Sequence, residues 1–327
     1  MKRILLTAFL FTSIIANAQT GIWGSTSAGG QYNAGVVFKL DASGNNYTKK
    51  QDLFRYDGDY PQASLFQASD GKLYGMTSSC CTFDAFSILF RYDPVTLQYE
   101  KLVNFNEIIN GANPNGSVIE AKDGKLYGMT SKGGTQDKGV IFQYNMATKT
   151  YKKLYDFDGS NGAGPESSFI EGKDGKLYGM TATGGKEDYG VLFQFDPATS
   201  AFVKKFDFDG IQNGGNPQGT LTQAKNGKLY GLTSGGGKDD FGVLFEYDLS
   251  TSTYTKKVEF TGDADGGYPY GSLVEANDGN LYGVTSGGGA NKYGVIFQFD
   301  PAASAYKVKF DFDDIVRSIP LDLLRGE

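Results

Sequence analysis

Histidine is absent from all 327 residues, cysteine occurs twice and tryptophan once. Without imidazole there is no Ser-His-Asp or Cys-His activation, no His-ligated zinc and no imidazole acid–base step. Any chemistry therefore falls to carboxylates, tyrosine, lysine or a hard metal ion. Long apolar runs are missing too: the segment from Ile4 to Ile15 is too short to span a bilayer, and no later stretch approaches the roughly 18 apolar residues a spanning helix needs. A basic excess is also lacking, since 31 Lys and Arg stand against 37 Asp and Glu. That balance makes nucleic acid a poor partner.

Lys2 and Arg3, the apolar run and then Ala16-Asn17-Ala18 follow the charged, apolar, small-residue order of a secretory leader, residues 1–18, with cleavage expected near Ala18. The mature chain would then begin at Gln19, carry 29 basic and 37 acidic residues for a net charge of −8, and be secreted to the exterior or cell surface with no transmembrane segment. No cysteine stands directly after the cleavage point, so no lipid anchor is expected there.

What is abundant is repetition. Leu-Tyr-Gly-(Met/Leu/Val)-Thr or a close variant recurs with its aromatic at Trp23, Tyr74, Tyr127, Tyr178, Tyr230 and Tyr282, at spacings of 51, 53, 51, 52 and 52 residues. A period near fifty is a propeller signature. Within one copy, four β-favouring runs are separated by turn chemistry: Pro114 to Ala121, Leu126 to Ser131, Gly139 to Asn145 and Tyr151 to Phe157. The first gap carries Asp70-Gly71, Asp123-Gly124, Asp174-Gly175, Asn226-Gly227 or Asp278-Gly279, and the third carries Asp93-Pro94, Asp196-Pro197 or Asp300-Pro301, all suited to tight hairpins. The pattern predicts an all-β fold, a six-bladed β-propeller of four-stranded antiparallel blades, forming a single domain over residues 19–327. The Gly after each anchoring aromatic, such as Gly128 or Gly179, is expected to permit close approach between blades.

The first run is present only five times, at Pro61, Pro114, Pro165, Pro217 and Pro269, so the first blade lacks its inner strand. The C-terminal tail offers Pro320 at 8 residues past Phe312, where Pro217 lies 9 past Phe208, although Asp322 and Leu323 replace the usual Gly-Ser. Tail closure of the first blade and a frayed tail both remain open.

These residues resemble the GloVer-type tandem repeat of exported bacterial proteins, in which (Gly/Asn)-x-Leu-Tyr-Gly-x-Thr-x-x-Gly-Gly and Gly-(Val/Ile)-(Leu/Ile/Val)-Phe recur at this period. The stretch Phe195-Asp-Pro-Ala-Thr-Ser-Ala-Phe202 is also similar to a kelch blade. The resemblance implies an exported, often surface-attached repeat protein and brings no catalytic residues to carry over.

Loops joining the second run to the third, and the fourth to the next copy, emerge on one face of such a blade and are the longer, Gly/Asp/Asn-rich ones. They supply the candidate ligand-binding residues: Asp137, Asp188, Asp239 and Asp240 from the first kind, Asp158, Asn161, Asp209, Asp263 and Asp265 from the second. Asp156-Phe-Asp158-Gly and Asp263-Ala-Asp265-Gly266 resemble calcium loops, but no copy has the full spacing with a terminal Glu, and turn formation explains the same residues. No cofactor is implied beyond that calcium alternative. Hydroxyls recur at Ser64, Ser117, Ser168, Thr220 and Ser272 and at Thr26, Thr77, Thr130, Thr181, Thr233 and Thr285, either satisfying backbone or forming rings that meet sugar.

Cys80 and Cys81 break the repeat by replacing a Gly-Gly; a strained vicinal disulfide that stiffens the turn is expected, with two free thiols and then metal or redox work as the alternatives. The sequence reads best as a monomeric, non-catalytic binding module for an extracellular glycan or protein. A carboxylate-dependent hydrolase or lyase acting on polysaccharide is the alternative, and a purely structural surface repeat protein the third reading.

Overall fold

The computed structural model describes residues 11–12, 21–41, 43–54, 58–78 and 87–313. Strands pair into six antiparallel sheets of four, each in simple sequence order. The fold is all-β, a six-bladed propeller. Its one helix among the described residues is the single turn Glu107–Asn110, in a loop between blades.

The fourth blade shows why the sequence folds this way. From the axis outwards its strands are Ile170–Glu171, Leu177–Thr181, Val191–Phe195 and Phe202–Asp207. The second strand is buried along its whole length because neighbouring blades cover both of its faces, so it reads as a continuous apolar run instead of alternating. The outer strand keeps Val203 and Lys204 in solvent.

Gly179 faces Phe193 across the second and third strands. A Cβ there would lie 2.8 Å from Phe193 Cζ and 3.2 Å from Phe169 Cε1. The glycine thus clears space for aromatic rings of its own blade, which corrects the expectation that it serves close approach between blades. A register shift sits beside the third-strand Phe in every blade, from Val37/Phe38 to Ile296/Phe297.

The hairpin Asp does two jobs. Asp174 Oδ1 accepts the Lys176 N–H at 3.1 Å, and Oδ2 accepts the Tyr178 hydroxyl at 2.7 Å. Asp70, Asp123 and Asp278 repeat the bond to Tyr74, Tyr127 and Tyr282. The fifth blade departs. Asn226 donates to the Tyr230 hydroxyl instead, and Tyr230 donates in turn to the buried Glu246, at 2.6 Å, which also holds Lys228 at 2.8 Å.

Apolar clusters join the first blade to the second, and so on through the fifth to the sixth. Outer aromatics reinforce them, with Tyr155 stacked on Phe202 at 4.3 Å and Phe206 on Tyr254 at 3.9 Å. Beside the second strand of the first blade, Ile22–Thr26, lie Phe11–Thr12, with Phe11 opposite Ser25. The remaining leader residues, the pair Cys80 and Cys81, and the tail proposed to close the ring fall outside the described residues.

Candidate binding face

The two long loop types form one continuous surface. Bridges tie the loop entering a blade to the loop between that blade's second and third strands: Ala112 to Lys132, Ala163 to Thr183, Gly215 to Gly235 and Gly267 to Gly287. The opposite side is tied forward, since Asn216 donates to the Tyr189 carbonyl and Tyr268 to that of Phe241. A rigid face results.

On it, most of the carboxylates expected to bind ligand are engaged by their own loops. Asp137, Asp188 and Asp240 turn back to accept the N–H of Gly133, Gly184 and Gly236 at 2.7, 2.7 and 2.6 Å. All three have φ between 52° and 62°, a left-handed conformation in which a short acceptor side chain is favoured. Asn33 makes the same closure in the first blade. In the sixth, Lys292 stands there and reaches the Gly262 carbonyl and Asp263.

The connecting loops behave alike. Asp158 accepts the Asn161 N–H at 2.9 Å while its own N–H donates to Asn161 Oδ1, and that Asn161 N–H holds the Asp158 carboxyl below its ordinary value. Asp209 accepts from Gln212 and from both nitrogens of Asn213, and Asp265 from the Thr261 N–H and hydroxyl. Asp239 and Asp263 are exposed. Among the described residues, no three acidic side chains converge as a metal ion would require.

Hydroxyls are consumed as well. Thr181 Oγ1 donates to the Thr183 carbonyl at 2.9 Å and accepts the Val191 N–H at 3.1 Å, an arrangement repeated by Thr130, Thr233 and Thr285. Around the axis, Ser168 accepts the Ser117 N–H at 2.7 Å, Thr220 that of Ser168 at 3.1 Å, and Ser272 that of Thr220 at 3.0 Å. This ring stitches neighbouring inner strands together. It is structural.

One set of clamps was not anticipated. In five of the six blades the acidic residue ending the outer strand accepts a loop N–H of its own blade: Asp52 from Gln31, Asp156 from Thr135, Asp207 from Lys186, Glu259 from Lys238 and Asp311 from Ala290. Four of the five also pair with the Lys three residues earlier. The recurring Lys-x-x-(Asp/Glu) was the available signal.

What is not spent on closing the loops varies from copy to copy. The position after each of Pro61, Pro114, Pro165, Pro217 and Pro269 holds Gln62, Asn115, Glu166, Gln218 or Tyr270, two residues before the recurring hydroxyl. Burial pushes the Glu166 carboxyl above its ordinary value. Asn115 bridges Ser78 and Ser131 on adjacent blades. Of the twelve exposed large apolar side chains among the described residues, seven lie on this face, including Tyr32, Tyr189, Tyr268 and Tyr270, against two in the opposite hairpins. Loops that hold themselves rigid thus display side chains that differ between blades.

Comparison with known proteins bears on the repeat itself. A family model described as the Gloeobacter/Verrucomicrobia repeat matches twice, over residues 11–173 and 165–326. No curated protein matches the chain. Among solved structures, the extracellular domain of a protein assigned as a one component system in B. thetaiotaomicron superposes with TM-score 0.59 at 14% identity, covering 88% of this chain and 32% of that one. A nidogen/laminin complex chain gives 0.56 at 13%, covering 93% and 97%. An oligogalacturonate lyase in complex with manganese gives 0.53 at 13%, covering 84% and 70%. At such identities the likeness concerns the fold alone. This chain spans about a third of the length of the first.

Proposed function

Since the chain belongs to the Gloeobacter/Verrucomicrobia repeat family, we propose that it is an exported, non-catalytic binding module. Its ligand is an extracellular glycan or protein, met by the face just described. The supporting observation is the division of labour on that face: repeated Asp, Asn and Thr side chains hold the loops, while exposed tyrosines and the variable residues after the prolines are left for contact. Tyrosine presents a flat apolar ring with a polar tip, which suits sugar faces and protein surfaces alike. A net negative chain disfavours polyanionic ligands.

Export rests on the leader pattern at residues 1–18 and on the solved neighbour that is itself an extracellular domain. No helix among the described residues is long and apolar enough to cross a membrane.

The test is a glycan array on the isolated protein, with calcium and with chelator, repeated with Tyr189→Ala and Tyr270→Ala. Binding that weakens in either variant without a change in melting temperature supports the reading. A turnover activity abolished by a single carboxylate substitution replaces it with the enzyme.

A further inference from the structure

Five seams of the ring are packed, and the described residues of the sixth are not. Where Phe206 and Tyr254 stack between the fourth and fifth blades, the counterparts at the junction of the sixth and first are Phe310 and Tyr47, which are 46% and 54% exposed. Ala276, Tyr282 and Ile296 on the sixth blade are half-buried, whereas Ala224, Tyr230 and Leu244 on the fifth are buried. None of the apolar clusters among the described residues joins these two blades.

The first blade is also unlike the rest at the axis. Among the described residues, its second strand, Ile22–Thr26, is paired on the inner side by Phe11–Thr12, which belong to the segment read as a leader and not to a copy of the repeat. Cleavage near Ala18 removes them. It leaves an open strand edge beside an uncovered apolar face, a combination that invites pairing.

In the other five blades this place is filled by a strand of fixed design. A proline is followed four residues on by a buried apolar residue: Pro61 and Leu65, Pro114 and Val118, Pro165 and Phe169, Pro217 and Leu221, Pro269 and Leu273. The fifth residue after the proline pairs with the anchoring aromatic, as Ile170 does with Tyr178 and Val274 with Tyr282. The proline ring seats against the Gly opening the third strand of the preceding blade, so that a Cβ on Gly190 would lie 3.1 Å from Pro217 Cδ and one on Gly242 3.0 Å from Pro269 Cδ. Gly294 repeats that seat in the sixth blade, with the same φ of +89° as Gly242.

One segment of the chain reproduces the design. Pro320 is followed four residues on by Leu324. The second match to the repeat family runs through it to residue 326. We propose that residues 320–326 dock on the inner edge of Ile22–Thr26, in the place Phe11–Thr12 hold here, with Pro320 against Gly294 and Leu324 in the seam between the sixth and first blades. The register sets Arg325 opposite Trp23 and closes the ring within one chain.

The register supplies its own control. Leu321 falls at the position after the proline, which is polar or exposed in the other copies, so Leu321→Asp should be silent while Leu324→Asp is not. In the exported, processed chain, Leu324→Asp is expected to lower the melting temperature by roughly 4 °C or more and to red-shift the emission of Trp23, the single tryptophan. Leu324→Val should leave both nearly unchanged. In the unsubstituted chain, amides of Ile22–Thr26 should exchange as slowly as those of Leu177–Thr181, a reading that needs no variant. Equal effects of the two Asp substitutions, silence of both, or fast exchange across Ile22–Thr26 would overturn the proposal. So would a concentration-dependent dimer, which would place a second copy's segment on the edge.

Discussion

Phe206 and Tyr254 lie face to face across the boundary of the fourth and fifth blades, ring centres 3.9 Å apart and planes within 4°. The Tyr254 hydroxyl then donates to the Asn213 carbonyl at 2.6 Å, on the loop that connects the same two blades. One side chain thus couples seam packing to the position of a loop on the candidate face. Burial pushes its phenol well above the ordinary value, so the hydroxyl stays protonated and a donor throughout the usable pH range.

Tyr254→Phe should keep the stack and lose only the hydroxyl bond, a cost of about 1 kcal/mol. Tyr254→Ala should lose the ring as well, roughly 3 to 5 kcal/mol. Urea unfolding of both variants measures the difference. Equal losses would mean that the hydroxyl bond, and not the stack, carries the seam.

Asp188 offers a way to separate loop closure from ligand contact. Its Oδ1 accepts the Gly184 N–H at 2.7 Å from a φ of +62°. Asp188→Asn preserves both the acceptor and the tolerance of that conformation, so its stability should stay within about 0.5 kcal/mol of the parent. Asp188→Ala removes the acceptor and strains the backbone, which should cost roughly 1 to 3 kcal/mol by denaturant unfolding. A ligand-binding carboxylate would show the reverse: Asp188→Asn would lose affinity with stability unchanged.

Much of the architecture was legible because the repeat carries its own punctuation. Asp174-Gly175 and Asp196-Pro197 marked the hairpins, and the Tyr178 and Phe193 runs marked the buried strands. Individual roles were harder to read. Asp in a Gly-rich loop is equally suited to a ligand and to a backbone N–H of its own loop, as Asp188 and Gly184 demonstrate, and only the folded chain distinguishes them. Gly179 misled for a related reason: sequence shows that a side chain is absent there but not which ring, Phe193, occupies the space.

Glu246 in the fifth blade and Asp196 in the fourth should make the protein acid-sensitive. Burial opposes ionisation of Glu246, but Lys228 and the Tyr230 hydroxyl override it, so the carboxyl lies below its ordinary value of 4.5. Asp196, held by Lys176, is lowered from 3.8 to about 2. A carboxyl lowered by folding stabilises above its unfolded value and loses that contribution as pH falls through the folded one. Melting temperature should therefore be flat above about pH 5 and fall progressively from there towards pH 2. Glu246→Gln should shallow the upper part of that fall while lowering the plateau, because Lys228 and Lys257 lose a partner. An unchanged slope in this variant would assign the acid sensitivity to other carboxylates.

Thr181 decides whether the recurring hydroxyls act through hydrogen bonds or through packing. Its side chain is fully buried, with Oγ1 donating to the Thr183 carbonyl and accepting from Val191 N–H. Thr181→Val keeps the shape and strands both backbone groups away from water, which should cost roughly 1 to 3 kcal/mol for each group that finds no new partner. Thr181→Ser keeps both bonds and gives up one buried methyl, about 1 kcal/mol. The expected order of stability is parent, then Ser, then Val, measured by urea unfolding. Val above Ser would make the methyl the reason for the threonine. The equivalent position in five other copies would then be a packing requirement.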